Sequence, residues 1–129
     1  MPVWHGDRGK KKTGKKVKLA RKKRKFELGS NPILTKLGKN KKKVVKTKGG
    51  GSKVKSLAVQ YANVYDPSTK KTTKVRITDI VENPANPHFV RRGIITKGTT
   101  IETELGLARV KSRPSQYGIV SAVLVKEKT

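Results

Sequence analysis

The residues best equipped to do chemistry in this chain are its cations, and they come in runs. Lys10-Lys11-Lys12, Lys15-Lys16, Arg21-Lys22-Lys23-Arg24-Lys25, Lys39 and Lys41-Lys42-Lys43 all fall within the first 43 residues. Clustered ammonium and guanidinium groups neutralise phosphates and release condensed counterions, so such runs bind nucleic acid strongly and with steep salt dependence. One run alone reads equally as a solvated face or a nuclear-localisation patch. Five so close together point to a polyanion. Trp4, His5 and Phe26 lie among them, flat rings that either stack on unpaired bases or anchor the segment to protein. Farther on, Arg113-Pro114-Ser115-Gln116-Tyr117-Gly118 gathers groups suited to RNA backbone or base edges, with an ordinary turn as the plainer reading. Gly49-Gly50-Gly51-Ser52-Lys53 lacks the spacing of a nucleotide-binding P-loop. It is either a flexible joint or a set of backbone N–H groups offered to a backbone phosphate.

Catalytic chemistry finds little to work with. The two histidines, His5 and His88, stand far apart in sequence, and the chain has no cysteine. Disulfides, thiolate metal sites and cysteine nucleophiles are excluded, which suits a reducing compartment. His5-Gly6-Asp7 offers two possible metal ligands, too few for a site. Glu102 and Glu104 share a strand face and read as partners for neighbouring cations. No catalytic residue, no metal and no cofactor is expected.

The elements that must position the cations differ along the chain. In 129 residues, 33 Lys/Arg face 8 acids, a net charge of +25. Residues 1–55 hold 21 of the cations and two acids, Asp7 and Glu27, with 14 apolar residues; residues 56–129 hold 28 apolar residues and a net charge of only +6. Ordering a residue's backbone costs about 1–2 kcal/mol, and the first part has little apolar surface to offset that. It is expected to stay largely unfolded until a polyanion neutralises it. A basic amphipathic membrane helix is a poor fit, because residues 15–28 show only a weak apolar stripe. No apolar run is long enough for a membrane span, and no secretory leader is expected.

The second part reads as strands. Leu57, Val59, Tyr61 and Asn63 alternate with Ala58, Gln60, Ala62 and Val64, and Thr73, Val75 and Ile77 alternate with Lys74, Arg76 and Thr78. With Asp66-Pro67-Ser68-Thr69 between them, these form a long hairpin, with a bulge where the phase shifts near Asp79. Asn83 to Pro87 is a loop. Short strands are expected at Phe89 to Arg91, Ile94 to Thr96, Thr99 to Glu104 and Ala108 to Lys111. Ile119 to Val125 is expected as a strand buried on both faces or closing a barrel. Many short strands with Gly/Pro turns imply a sandwich or a barrel. Farther upstream, Ala20 to Leu28 suggests a short helix stopped at Gly29.

The motifs also resemble a known family. Trp4-His5, Arg8, Lys11-Lys12-Thr13-Gly14 and Lys22-Lys23-Arg24-Lys25-Phe26-Glu27-Leu28-Gly29, then Gly49-Gly50-Gly51, then Ser112-Arg113-Pro114-Ser115-Gln116-Tyr117-Gly118 occur in the order seen in the ribosomal protein S8e family. Eukaryotic members carry a long charged insertion in the C-terminal half. Here Glu104-Leu105-Gly106 runs almost directly into Leu107-Ala108, as in the compact archaeal type. The Gly-Gly-Gly-Ser sequence departs from the family's commoner Gly-Gly-Asn.

The resemblance implies a mainly β fold: a small antiparallel β-barrel, residues 51–129, with a long basic, largely extended N-terminal arm, residues 1–50. It implies a non-enzymatic constituent of the small ribosomal subunit in the cytoplasm, whose partners are small-subunit rRNA and neighbouring ribosomal proteins, with no membrane or small-molecule substrate. On that reading the rRNA-binding residues are Trp4, Arg8, Lys11, Lys12, Thr13, Gly14, Arg21, Arg24, Lys25, Lys43, Lys46, Lys48, Gly50, Arg113 and Gln116. The alternative is a free architectural DNA-binding protein.

Overall fold

A computed structural model describes residues 2–6 and 9–125. The chain forms two compact units, Met1–Pro32 and Ile33–Thr129.

The larger unit contains a closed five-stranded barrel in the order β10-β11-β6-β7-β9. Its strands are β6 (Tyr61–Asp66), β7 (Lys71–Glu82), β9 (Thr100–Thr103), β10 (Gly106–Val110) and β11 (Ser121–Leu124). Four of its pairings are antiparallel; β11 runs parallel to β6, with Ala122 opposite Val64. Alternation sends Ala62, Val64, Val75, Ile77, Ile101, Ala108, Val110 and Ala122 inward, where all are buried. Burying a Val or Ile side chain stabilises by about 1.5–3 kcal/mol, so these few residues hold the unit.

The hairpin turn and the bulge stand as expected. The Asp66 carboxylate accepts from the Ser68 N–H and the Thr69 hydroxyl, both at 2.9 Å, and these bonds hold it below the ordinary Asp range. The β7–β9 register shifts between Ile77 and Asp79. Thr78 is the extra residue, and the inward phase passes from Ile77 to Ile80.

Other expectations for the larger unit are corrected or narrowed. The alternation through Leu57, Val59, Tyr61 and Asn63 does not continue as one strand. Gln60 breaks it, its N–H donating to Asn40 Oδ1 at 2.8 Å and its carbonyl accepting from the Ile77 N–H at 3.0 Å; beyond it Ala62 and Val64 point inward instead. Phe89 to Arg91 is helical, within α1 (Pro87–Arg91), because Asn86 caps the His88 N–H at 3.0 Å and Pro87 fits the first helical turn. Arg113 to Gly118 contains a single helical turn, α2 (Pro114–Tyr117). Of the two readings for Ile119 to Val125, closing the barrel is the one that holds: β11 turns Ala122 inward, and Ile119 and Val125, which flank the strand, are exposed.

A second sheet, in the order β4-β5-β3-β8, joins β3 (Thr35–Leu37), β4 (Lys41–Lys46), β5 (Ser52–Val59) and β8 (Ile94–Ile95). Residues 33–50, assigned above to the arm, therefore belong to the same compact unit as the barrel. Gly49 to Gly51 is the tip of the β4–β5 hairpin. The Thr47 N–H donates to the Gly51 carbonyl at 2.7 Å, and Gly49 and Gly50 adopt φ of +89° and +84°, which glycine reaches without steric cost.

The smaller unit is not an extended arm. Strands β1 (Val3–Trp4) and β2 (Leu28–Gly29) pair antiparallel, and the expected helix over Ala20 to Leu28 reduces to one 3-10 turn at Lys25–Glu27. The consecutive cations Arg21 to Lys25 repel along a helix, whereas an extended run spaces them. Trp4 is buried, and a side chain at Gly6 would overlap its indole; one at Gly29 would overlap the His5 ring. The Trp4-His5 and Leu28-Gly29 elements quoted above, with Gly6, thus make a packed ring-on-glycine joint.

Candidate nucleic-acid interface

The β4–β5 hairpin carries the densest charge. Lys41, Lys42, Lys43, Lys46, Lys48, Lys53 and Lys55 fall within 15 residues that contain no acid. The register sets Lys43 directly opposite Lys55, and Val45 opposite Lys53. Like charges directly opposite destabilise a sheet. This pair makes sense if anionic groups outside the chain lie over it. Beside the hairpin, α2 and its N-cap present Arg113, Gln116 and Tyr117, and Lys53 Nζ donates to Gln116 Oε1 at 3.3 Å.

In the smaller unit, Lys11, Lys12, Thr13 and Gly14 form the tip of a tight turn. The Gly14 N–H donates to the Lys11 carbonyl at 2.9 Å, Gly14 has φ +82°, and Lys10 bridges to Lys16 across the stem. The turn pushes both lysines outward into solvent. Glu27 organises the other end of the unit: it accepts from Trp4 Nε1 at 2.9 Å, from the Arg21 guanidinium at 2.5 Å and from the Arg24 N–H at 3.3 Å. The Trp4 bond first, then the Arg24 N–H and Arg21, hold its carboxyl below the ordinary Glu range. Arg21 also lies 5.4 Å from the centroid of the exposed Phe26 ring, and Lys23 Nζ lies 5.0 Å from that of Trp4.

Exposed cations in such density, grouped on a hairpin, a helical turn and a tight turn, fit a phosphate backbone. Among the described residues no three His, Asp or Glu cluster as metal ligands would, and no helix is long and apolar enough to cross a membrane. Residues 4–125 match the family described as ribosomal protein S8e. The chain belongs to this family. The small ribosomal subunit protein eS8 of Methanococcus aeolicus is 49% identical over 128 residues, covering 98% of this chain and all of the relative. The protein of the same name from Methanoregula boonei is 45% identical over 123 residues, covering 95% and 98%.

Within this S8e chain the residues singled out from the sequence separate into groups. Lys43, Lys46, Lys48 and Gly50 come together on the β4–β5 hairpin, and Gln116 on α2 beside it, with Arg113 at that turn's N-cap. Lys11, Lys12, Thr13 and Gly14 share the tight turn. Arg21 and Arg24 bond to Glu27, and Lys25 opens the 3-10 turn. Trp4 is only 8% exposed; its indole is committed to Glu27, Gly6 and Lys23, so in this conformation it serves as an anchor with little surface left for a base. Arg8 lies outside the described residues.

Lys53, Lys55 and Tyr117 extend the hairpin surface beyond that set. A hairpin over Gly49-Gly50-Gly51 is what sets Lys53 and Lys55 across from Val45 and Lys43, and the flanking runs are too charged to signal it by alternation.

Proposed function

We propose that this S8e protein is a structural, non-enzymatic constituent of the small ribosomal subunit in the cytoplasm, where it binds and stabilises folded rRNA beside neighbouring ribosomal proteins. The observation that carries the reading is the β4–β5 hairpin, seven lysines on a two-stranded ribbon with Lys43 and Lys55 opposite each other. Phosphates lying along the ribbon relieve that repulsion and release counterions.

The labour divides between the cationic surfaces, those of the first unit and of the β4–β5 hairpin, which neutralise converging phosphates, and the barrel, which acts as a plug. The Lys11-Lys12 turn and the hairpin tip with Gly50 supply cations and backbone N–H groups to the phosphate backbone. Arg8, Arg21, Arg24 and Lys25 add further cations along the first unit.

Sedimentation of the native protein from its own cell extract tests this. Co-migration with small subunits through moderate salt is the expected result. Release into the soluble pool at low salt would overturn the reading. A competition in which duplex DNA matches folded rRNA at equal salt would replace it with a free architectural DNA-binding role.

A further inference from the structure

Beside the hairpin, Ser52, Lys53, Val54, Arg113, Gln116 and Tyr117 line an open cavity of about 530 Å³. That volume falls in the range of small-ligand sites, about 300–1,000 Å³, and none of its lining residues is acidic. One wall is the α2 turn. The Tyr117 N–H donates to the Arg113 carbonyl at 3.0 Å, the helical spacing that brings the side chains of residues four apart to one face.

The wall is rigid. Pro114 is buried. Gly118 ends the turn at φ +71°, and a Cβ there would come within 2.7 Å of Val54 Cγ1. The opposite wall is β5, whose Lys53 commits the Gln116 amide oxygen and leaves Nε2–H as the group able to donate to an acceptor.

Tyr117 is 70% exposed. In a chain with only 33% hydrophobic residues, a ring of that size left out of the core, on a rigid turn between two cations, has the make-up of a stacking surface. An acidic peptide would need only the cations. A nucleotide uses the whole set: a flat face for the base, an amide for its edge and cations for its phosphate.

We propose that this cavity holds one unpaired ribonucleotide, its base stacked on Tyr117, its edge read by Gln116 and its phosphate flanked by Lys53 and Arg113. The proposal rests on the rRNA-binding reading above and deepens it, adding a base contact to a surface otherwise defined by charge.

The test uses the full-length protein and its own small-subunit rRNA. Binding is measured across a salt series for wild type, Tyr117→Phe and Tyr117→Ala, with chemical probing of unpaired bases at nucleotide resolution. Circular dichroism checks that the exposed position leaves the fold intact. Tyr117→Ala is expected to lose about tenfold in affinity with an unchanged salt slope, since no phosphate contact is removed, and to leave one base newly reactive. Tyr117→Phe retains both affinity and protection.

Wild-type affinity and protection in Tyr117→Ala would overturn the site and leave rRNA binding standing. Failure of the wild type to bind rRNA would remove both. Photocrosslinking of Tyr117 to a neighbouring protein in the assembled subunit would give the cavity to a protein segment and likewise overturn the proposal.

Discussion

The hairpins β4–β5 and β6–β7 lie in the same unit, and both are antiparallel ribbons with a tight tip. In β6–β7 the buried inward positions are apolar: Ala62 faces Val75, Val64 and Ile77 are buried beside them, and the strands close into the barrel through β11 and β9. Along the outer part of β4–β5 the same backbone carries Lys43 opposite Lys55 and Lys46 opposite Ser52, with Val44 67% exposed. One ribbon is held by what it buries. The other is tethered at its base, where Ser56 and Val59 are buried and β3 pairs alongside β5, and extends as a charged ribbon whose outer residues contribute little to a core. The first supplies a fixed platform, and the second spends that stability on a surface suited to an anion.

The largest effect expected from this contrast is in the barrel. Ile101 is fully buried, between Ile80 and Ala108. Ile101→Ala removes part of a small core, and such truncations cost about 2–5 kcal/mol. Urea unfolding followed by far-UV circular dichroism should show a strongly lowered midpoint or no cooperative transition. A midpoint within error of wild type would mean that the barrel interior is not what holds the larger unit.

A smaller effect with opposite signs on two readouts is expected in the charged hairpin. Lys55→Glu turns the repulsive Lys43 pair into an attractive one, a gain of up to about 1 kcal/mol for directly opposed residues. The same change should weaken rRNA binding and reduce the salt slope by about one unit, since each phosphate contact contributes about 0.9. Stability up and binding down would separate the two ribbons cleanly. An unchanged slope would mean that the Lys43–Lys55 face does not touch phosphate.

Much of the barrel was legible because period-two alternation survives wherever one strand face is buried. Val75 to Ile77 and the phase shift near Asp79 could both be read that way. What was lost depends on local or distant partners that alternation does not encode. Phe89-Val90-Arg91 has strand-like composition, yet the Asn86 cap and Pro87 impose a helical turn. Val59 and Tyr61 look continuous until Gln60 is tied to Asn40. The glycine run passed for a joint because its strands are too charged to advertise a buried face.

The candidate site shows the same split. The cations were visible in composition, but their grouping on a ribbon, a helical turn and a tight turn is a property of the fold. Trp4 read as a base-stacking ring because its partner, Glu27, lies 23 residues away. Only the folded unit brings the two together.

That pair allows the finest test of the contrast, since the described part of the smaller unit centres on the Glu27 carboxylate amid cations where the larger unit has an apolar core. The Glu27 carboxyl is lowered from its ordinary value of 4.5 by the Trp4 indole N–H, the Arg24 N–H and Arg21. A carboxyl lowered on folding contributes stability that is fully present above its unfolded value and is lost as pH falls through the lowered one. The chain has a single tryptophan, so indole emission reports on this unit alone. Acid titration of the wild type should shift Trp4 emission towards that of a solvent-exposed indole below pH 4.5, with little change between pH 5 and 8. Glu27→Gln keeps an acceptor for Trp4 Nε1 but cannot titrate and cannot pair ionically with Arg21. Its emission should be nearly flat across the acid window and modestly shifted at neutral pH. Because the carboxylate is close to solvent, high salt should reduce the difference between the two proteins at neutral pH. A wild-type acid transition retained in Glu27→Gln would show that a group other than Glu27 drives it, whereas no transition in either protein would show that ring packing, with no help from the carboxylate, holds Trp4 and would erase the distinction between the smaller unit and the barrel.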